Sequence, residues 1–193
     1  MSEIKVRPHI GAKYENPDIF PYKTLILGES NYADPEQFGL NIVKDCIEDD
    51  LNGRDSNFQR FSTKTRRVIF GRDTKIEPEE FWENVAFYNF VQFLVGNQSK
   101  VRPTPEMWSN SVPAFKEVIF EIKPERILVL GSDNWKNLLS HIEYMQMSER
   151  ECTAMLNIDI YTVLSGYINH PVSVGFEYSK WQPIAKNLLF KGC

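Results

Sequence analysis

The sequence is poor in cysteine: it holds three, Cys46, Cys152 and Cys193, an odd number, far apart and without a CxxC pair. That pattern excludes a disulfide framework and offers no basis for a zinc or iron-sulfur site, so the three are read as plain thiols. Histidine is equally scarce, with His9, His141 and His170 at no metal-ligand spacing, so neither a metal nor a cofactor is expected. No apolar run approaches the roughly 20 residues needed to span a bilayer, and the opening MSEIKVRPHIGAKYENPD lacks the apolar stretch of a signal peptide. The expectation is a cytoplasmic protein without a membrane partner. An excess of positive charge is missing too. The net charge of −4 argues against a generally basic nucleic-acid binder, although a local patch can supply phosphate contacts on an acidic protein.

What is present suffices for one buried core. With 193 residues, 42% of them hydrophobic, the chain is long enough for a single domain over 1–193 and too short for two ordinary ones. It contains no internal repeat or low-complexity tract to subdivide it. A monomer is expected.

The apolar run KTLIL (23–27), closed by Gly28, reads as a buried strand, and VAFYNF (85–90) and RILVLG (126–131) read the same way. IDIYTVL (158–164) reads as a fourth strand. Helical spacing marks 35–51, 78–84, 105–122, 133–144 and 178–190, the last with an internal Pro183. The polar stretch from Asn52 to Lys75 reads as a long loop, a length that is often functional. Strands alternating with helices at these lengths predict right-handed crossovers. The predicted class is therefore α/β: a three-layer α/β/α domain with a central, mainly parallel four-stranded sheet.

In open parallel sheets, ligands bind beyond the carboxyl ends of the strands. Those places are rich here: Gly28-Glu29-Ser30-Asn31-Tyr32 after the first strand, Tyr88-Asn89 at the end of the second, Gly131-Ser132-Asp133-Asn134 after the third and Asn169-His170-Pro171 after the fourth. Singly, these residues are ordinary turn and cap residues. Together they bring a carboxylate, amides, an aromatic ring and an imidazole to one rim, which argues for a site. Trp82, Phe87, Phe90 and Trp135 are read as core.

The segments ILGESNY, VAFYNFVQFLVGNQSKVRPTPEMW, IKPERILVLG and INHPVSVGF resemble the ordered motifs of the uracil-DNA glycosylase superfamily, and the resemblance covers most of the chain. The stretch Arg102-Pro103-Thr104-Pro105-Glu106 with the later PERILVLG is most similar to the bacterial and archaeal iron-sulfur branch, whose four cluster cysteines this chain lacks. In the best-studied branch an Asp and a Pro stand where this chain has Ser30 and Asn31. Glu29 matches the acidic residue of the iron-sulfur branch, and Tyr32 falls where the best-studied branch has a Tyr against the C5 side of a pyrimidine.

The resemblance implies a monofunctional DNA glycosylase that flips uracil or another modified or damaged base from DNA and hydrolyses its bond to the sugar. Breaking that bond builds positive charge on the sugar and negative charge on the base, which calls for an anion near one and a donor near the other. Glu29 and His170 suit those roles, with Asn31 holding water. Gly28, Ser30, Tyr32 and Asn89 are expected to bind the base, the Asn89 amide pairing with its edge. DNA is the expected partner, through Arg102, Ser132, Ser173 and the basic stretch 60–72, which carries Arg66 and Arg67. Two alternatives stand beside this reading: a glycosylase for bulky modified bases of phage DNA, and a catalytically silent nucleic-acid-binding module of the same fold.

Overall fold

The computed structural model describes residues 2–54, 56–97, 101–150 and 152–191, so Cys193 lies outside the described residues. The elements run β1 (His9–Ile10), β2 (Thr24–Gly28), β3 (Asn31–Tyr32), a 3-10 turn (Pro35–Gln37), α1 (Ile42–Leu51), α2 (Asn57–Phe70), α3 (Pro78–Asn84), β4 (Val85–Asn89) and β5 (Leu94–Gly96). They continue with α4 (Pro105–Ile122), β6 (Arg126–Leu130), α5 (Ser132–His141), β7 (Glu143–Ser148), β8 (Thr153–Ile158), β9 (Tyr161–Ile168) and α6 (Tyr178–Phe190).

The chain is α/β, and four parallel strands in the order β4-β2-β6-β9 form the centre of its sheet. The sheet is not four-stranded as predicted. It has seven strands, because β1 adds antiparallel to β4 and the meander β9-β8-β7 extends the other edge. The expected fourth strand, 158–164, contains a two-residue turn instead: Ile158 pairs with Tyr161, and Asp159 between them adopts φ 55°. Asp tolerates this left-handed conformation better than most residues, so the chain reverses there and β9 carries the parallel pairing.

Alternation along the central strands divides the core between the two faces. Leu25, Leu27, Ala86, Tyr88, Ile127 and Val129 pack with α4 and α5 through Phe115, Ile119, Trp135 and Leu138. Ile26, Val85, Phe87, Leu128 and Leu130 pack on the opposite side with α1, α2, α3 and α6. Trp82, Phe87, Phe90 and Trp135 are buried, as read from the sequence.

The parallel register positions the functional edge. Gly28 stands opposite Asn89 and Leu130 opposite Ile168, so all four central strands end together and the residues after them start at one rim. Among the described residues no helix is long and apolar enough to cross a membrane, and no group of three His, Cys, Asp or Glu is placed to hold a metal ion.

Candidate functional site

At that rim lies a pocket of about 570 Å³, lined by the segments that follow the four central strands. The loop after β2 contributes Gly28, Glu29, Ser30 and Tyr32, the end of β4 contributes Asn89, and the turn into α5 contributes Gly131, Ser132 and Asp133. The loop after β9 adds Asn169, His170 and Ser173. Gly131 turns the chain there at φ 106°, a conformation open to glycine and rarely to others.

Glu29 is the carboxylate of the site. Its side chain is 12% exposed, and it accepts from Arg102 Nη2 at 2.6 Å and from Ser30 Oγ at 3.4 Å. Burial raises its pKa above the ordinary carboxylate value, while the Arg102 charge opposes that rise and Asp133 adds to it. Arg102 also reaches Asp133 at 3.3 Å, so one guanidinium bridges two acids at the pocket mouth.

His170 has the opposite bias. Burial, with smaller contributions from the Arg102 and Lys64 charges, lowers its pKa to about 4, so the ring is neutral at neutral pH. It lies stacked on Phe61, with centroids 5.4 Å apart and planes 25° apart. Among the described residues neither ring nitrogen has a hydrogen-bond partner, which leaves a donor to offer a ligand. A carboxylate and a neutral imidazole thus share a pocket walled by Phe58, Phe61 and Phe87, a combination suited to stabilising positive charge on one part of a ligand while donating to another.

Asn31 is buried and is not part of the pocket wall. Its Nδ2 donates to the Val91 carbonyl at 3.2 Å, and its Oδ1 accepts from Asn89 Nδ2 at 2.8 Å. Asn31 therefore stands behind Asn89 and not at the pocket wall, where the water-holding role read from the sequence would put it. Gly28 has its own reason to be glycine: a Cβ there would stand 2.0 Å from Asn89 Oδ1. Tyr32 lines the pocket and donates its hydroxyl to the Val101 carbonyl at 3.0 Å, tying that wall to the segment bearing Arg102.

The structure thus brings Gly28, Glu29, Ser30, Tyr32, Asn89, Arg102, Ser132, His170 and Ser173 around one pocket. Arg66 and Arg67 lie elsewhere on α2. Arg66 is turned inward, reaching buried Asp50 at 3.4 Å, Ser62 and Thr63, whereas Arg67 is exposed. The stretch 52–75 is not one long loop, because α2 occupies its middle and presents Asn57, Phe58 and Phe61 to the pocket. Its signal was in the sequence: Ser56 caps the helix by accepting from Gln59 N, and Phe58, Phe61, Thr65, Val68 and Ile69 recur at helical spacing. Val172 and Val174, in the INHPVSVGF segment that the sequence analysis singles out, also line the pocket.

Comparison of the sequence with protein-family models and with curated proteins returns no match.

Proposed function

We propose that this chain is a DNA glycosylase that receives a flipped base in the pocket at the carboxyl edge of its sheet and hydrolyses the bond between base and sugar. One observation carries the reading: the half-buried carboxylate of Glu29, the neutral imidazole of His170 and the amide of Asn89 come from three different strand ends and line a single pocket with aromatic walls.

Each group has work to do in that reaction. As the bond from sugar C1′ to the base nitrogen breaks, its electron pair leaves with the base and C1′ becomes cationic. Glu29 stabilises that cation, orients the water that adds to C1′ and takes the proton this water loses, which ends on the departing base anion, while His170 donates to a base oxygen on which negative charge develops. Asn89 pairs with the base edge, and Phe58 or Phe61 flanks the ring. A DNA phosphate at the mouth competes with Glu29 and Asp133 for Arg102, which frees the carboxylate as substrate binds. Ser132 and Ser173 stand at the same mouth for backbone contacts.

The pocket volume favours a second substrate range. At about 570 Å³ it lies within the range that takes drug-sized ligands, leaving room for a base that bears a bulky substituent. The test is release of free base, followed by chromatography, from duplex and single-stranded DNA containing uracil, hypoxanthine, 5-hydroxymethylcytosine or its glucosylated form. Glu29→Ala and His170→Ala are expected to abolish release and leave DNA affinity nearly intact. Affinity for a modified base with no release by the wild type would instead identify a catalytically silent binding module.

A further inference from the structure

The hydrogen-bond polarity of Asn89 is fixed by residues that do not touch the pocket. A backbone carbonyl can only accept, so the Val91 carbonyl fixes Nδ2 of Asn31 toward itself. That leaves Oδ1 of Asn31 facing Asn89, and this oxygen also can only accept. Asn89 must therefore direct Nδ2 at Asn31, and its Oδ1 lies over Gly28, in the space that the missing Cβ of Gly28 leaves open. The backbone beneath is pinned as well: Gln92 Nε2 donates to the Asn89 carbonyl, and Phe90 N and Val91 N donate to the carbonyls of Gly28 and Glu29.

An unrestrained asparagine can turn its amide over and read either of two opposite base edges, a ring N–H beside a carbonyl or a ring nitrogen beside an amino group. Turning Asn89 over would set two carbonyl oxygens against each other at 2.8 Å and break the bond. We propose that Asn31 is a positioning residue that locks the Asn89 amide in one orientation and thereby restricts the pocket to one of those two edge classes. This rests on the glycosylase reading for the identity of the ligand, but the lock itself is a property of the protein alone.

The experiment has two arms. In the first, side-chain amide exchange is followed by NMR in the 15N-labelled full chain, with the Asn89 signals assigned by their loss in Asn89→Leu. One Asn89 proton is expected to exchange at least tenfold more slowly than those of exposed Asn110, and this protection is expected to vanish in Asn31→Ala. Asn31→Asp, which keeps an acceptor toward Asn89 and, protonated on its other oxygen, a donor toward the Val91 carbonyl, is expected to retain it. In the second arm, kcat/KM for release of uracil and hypoxanthine is compared with that for cytosine and adenine. The wild-type preference for one class is expected to fall at least tenfold in Asn31→Ala and to survive in Asn31→Asp, a rescue that a merely structural role would not give. Unprotected Asn89 protons in the wild type, or an unchanged preference in Asn31→Ala, overturn the proposal. Absence of release by every variant defeats the glycosylase reading, while the exchange arm still decides the lock.

Discussion

The Arg102 guanidinium donates from Nη2 to Glu29 Oε2 across 2.6 Å and spans to Asp133 at 3.3 Å, so the cation at the pocket mouth acts on the carboxylate directly and on His170 at a distance. Its charge lowers the pKa of both groups. Arg102→Ala is therefore expected to move both titrations upward, and with them the acid limb of the activity profile. Carboxyl and imidazole NMR titrations check this, and a shift of one group without the other contradicts it. Arg102 is half exposed, so solvent screens much of its effect on stability.

His170 gives the fold a pH dependence of known sign. Its folded pKa of about 4 lies below the unfolded value of 6.5, so between those values the unfolded chain binds more protons. Stability is expected to fall as pH drops from 6.5 toward 4, by about 2 to 3 kcal/mol from this group, and to be unaffected by it above 6.5. Denaturant unfolding of the wild type and of His170→Gln at pH 7 and pH 4.5 measures the difference; equal losses in both would contradict the assignment.

Gly28→Ala tests the space beneath Asn89. Gly28 does not occupy the positive-φ region, so the expected effect is the collision of the new Cβ with Asn89 Oδ1 and not backbone strain. Overpacking of this kind costs about 1 to 3 kcal/mol, which the fold should survive. Displacing the amide by about 1 Å is expected to lower base release by about a hundredfold. Thermal melting beside activity separates the two effects.

The arginines of α2 are expected to divide in role. Asp50 is fully buried, and its Oδ2 also accepts from Trp82 Nε1 at 2.8 Å, so Arg66→Ala leaves a buried carboxylate without its cation at a cost of about 3 kcal/mol in stability. Arg67 is exposed, and Arg67→Ala should leave stability unchanged while weakening salt-dependent DNA binding if α2 faces the duplex. Unfolding and binding measured on both variants distinguish a structural arginine from a phosphate contact.

The central strands were legible because RILVL and TLILG are buried on both faces and so read as continuous apolar runs. The outer strands were not. β7, EYMQMS, is an edge strand with residues exposed on both faces, so its sequence has no period-two alternation, and the helical reading of 133–144 takes in only its first two residues. The two turn residues, Asp159 and Ile160, include neither glycine nor asparagine and stand between apolar residues, which concealed the hairpin between β8 and β9. In the site, chemistry-bearing residues after strand ends were legible individually. Whether a polar side chain faces the pocket or its supporting layer, as Asn89 and Asn31 respectively do, depends on tertiary hydrogen bonds between segments about 60 residues apart, and local sequence does not encode that choice.

Strand scission after alkali treatment reads base excision at the DNA itself. Labelled DNA carrying one uracil, hypoxanthine, 5-hydroxymethylcytosine or glucosylated 5-hydroxymethylcytosine is incubated with the wild type and with Glu29→Ala, whose fold is checked by thermal melting. Alkali-dependent cleavage is expected at one of these bases with the wild type and is expected to be lost in the folded variant. No cleavage at any base, or cleavage undiminished by Glu29→Ala, contradicts the glycosylase reading.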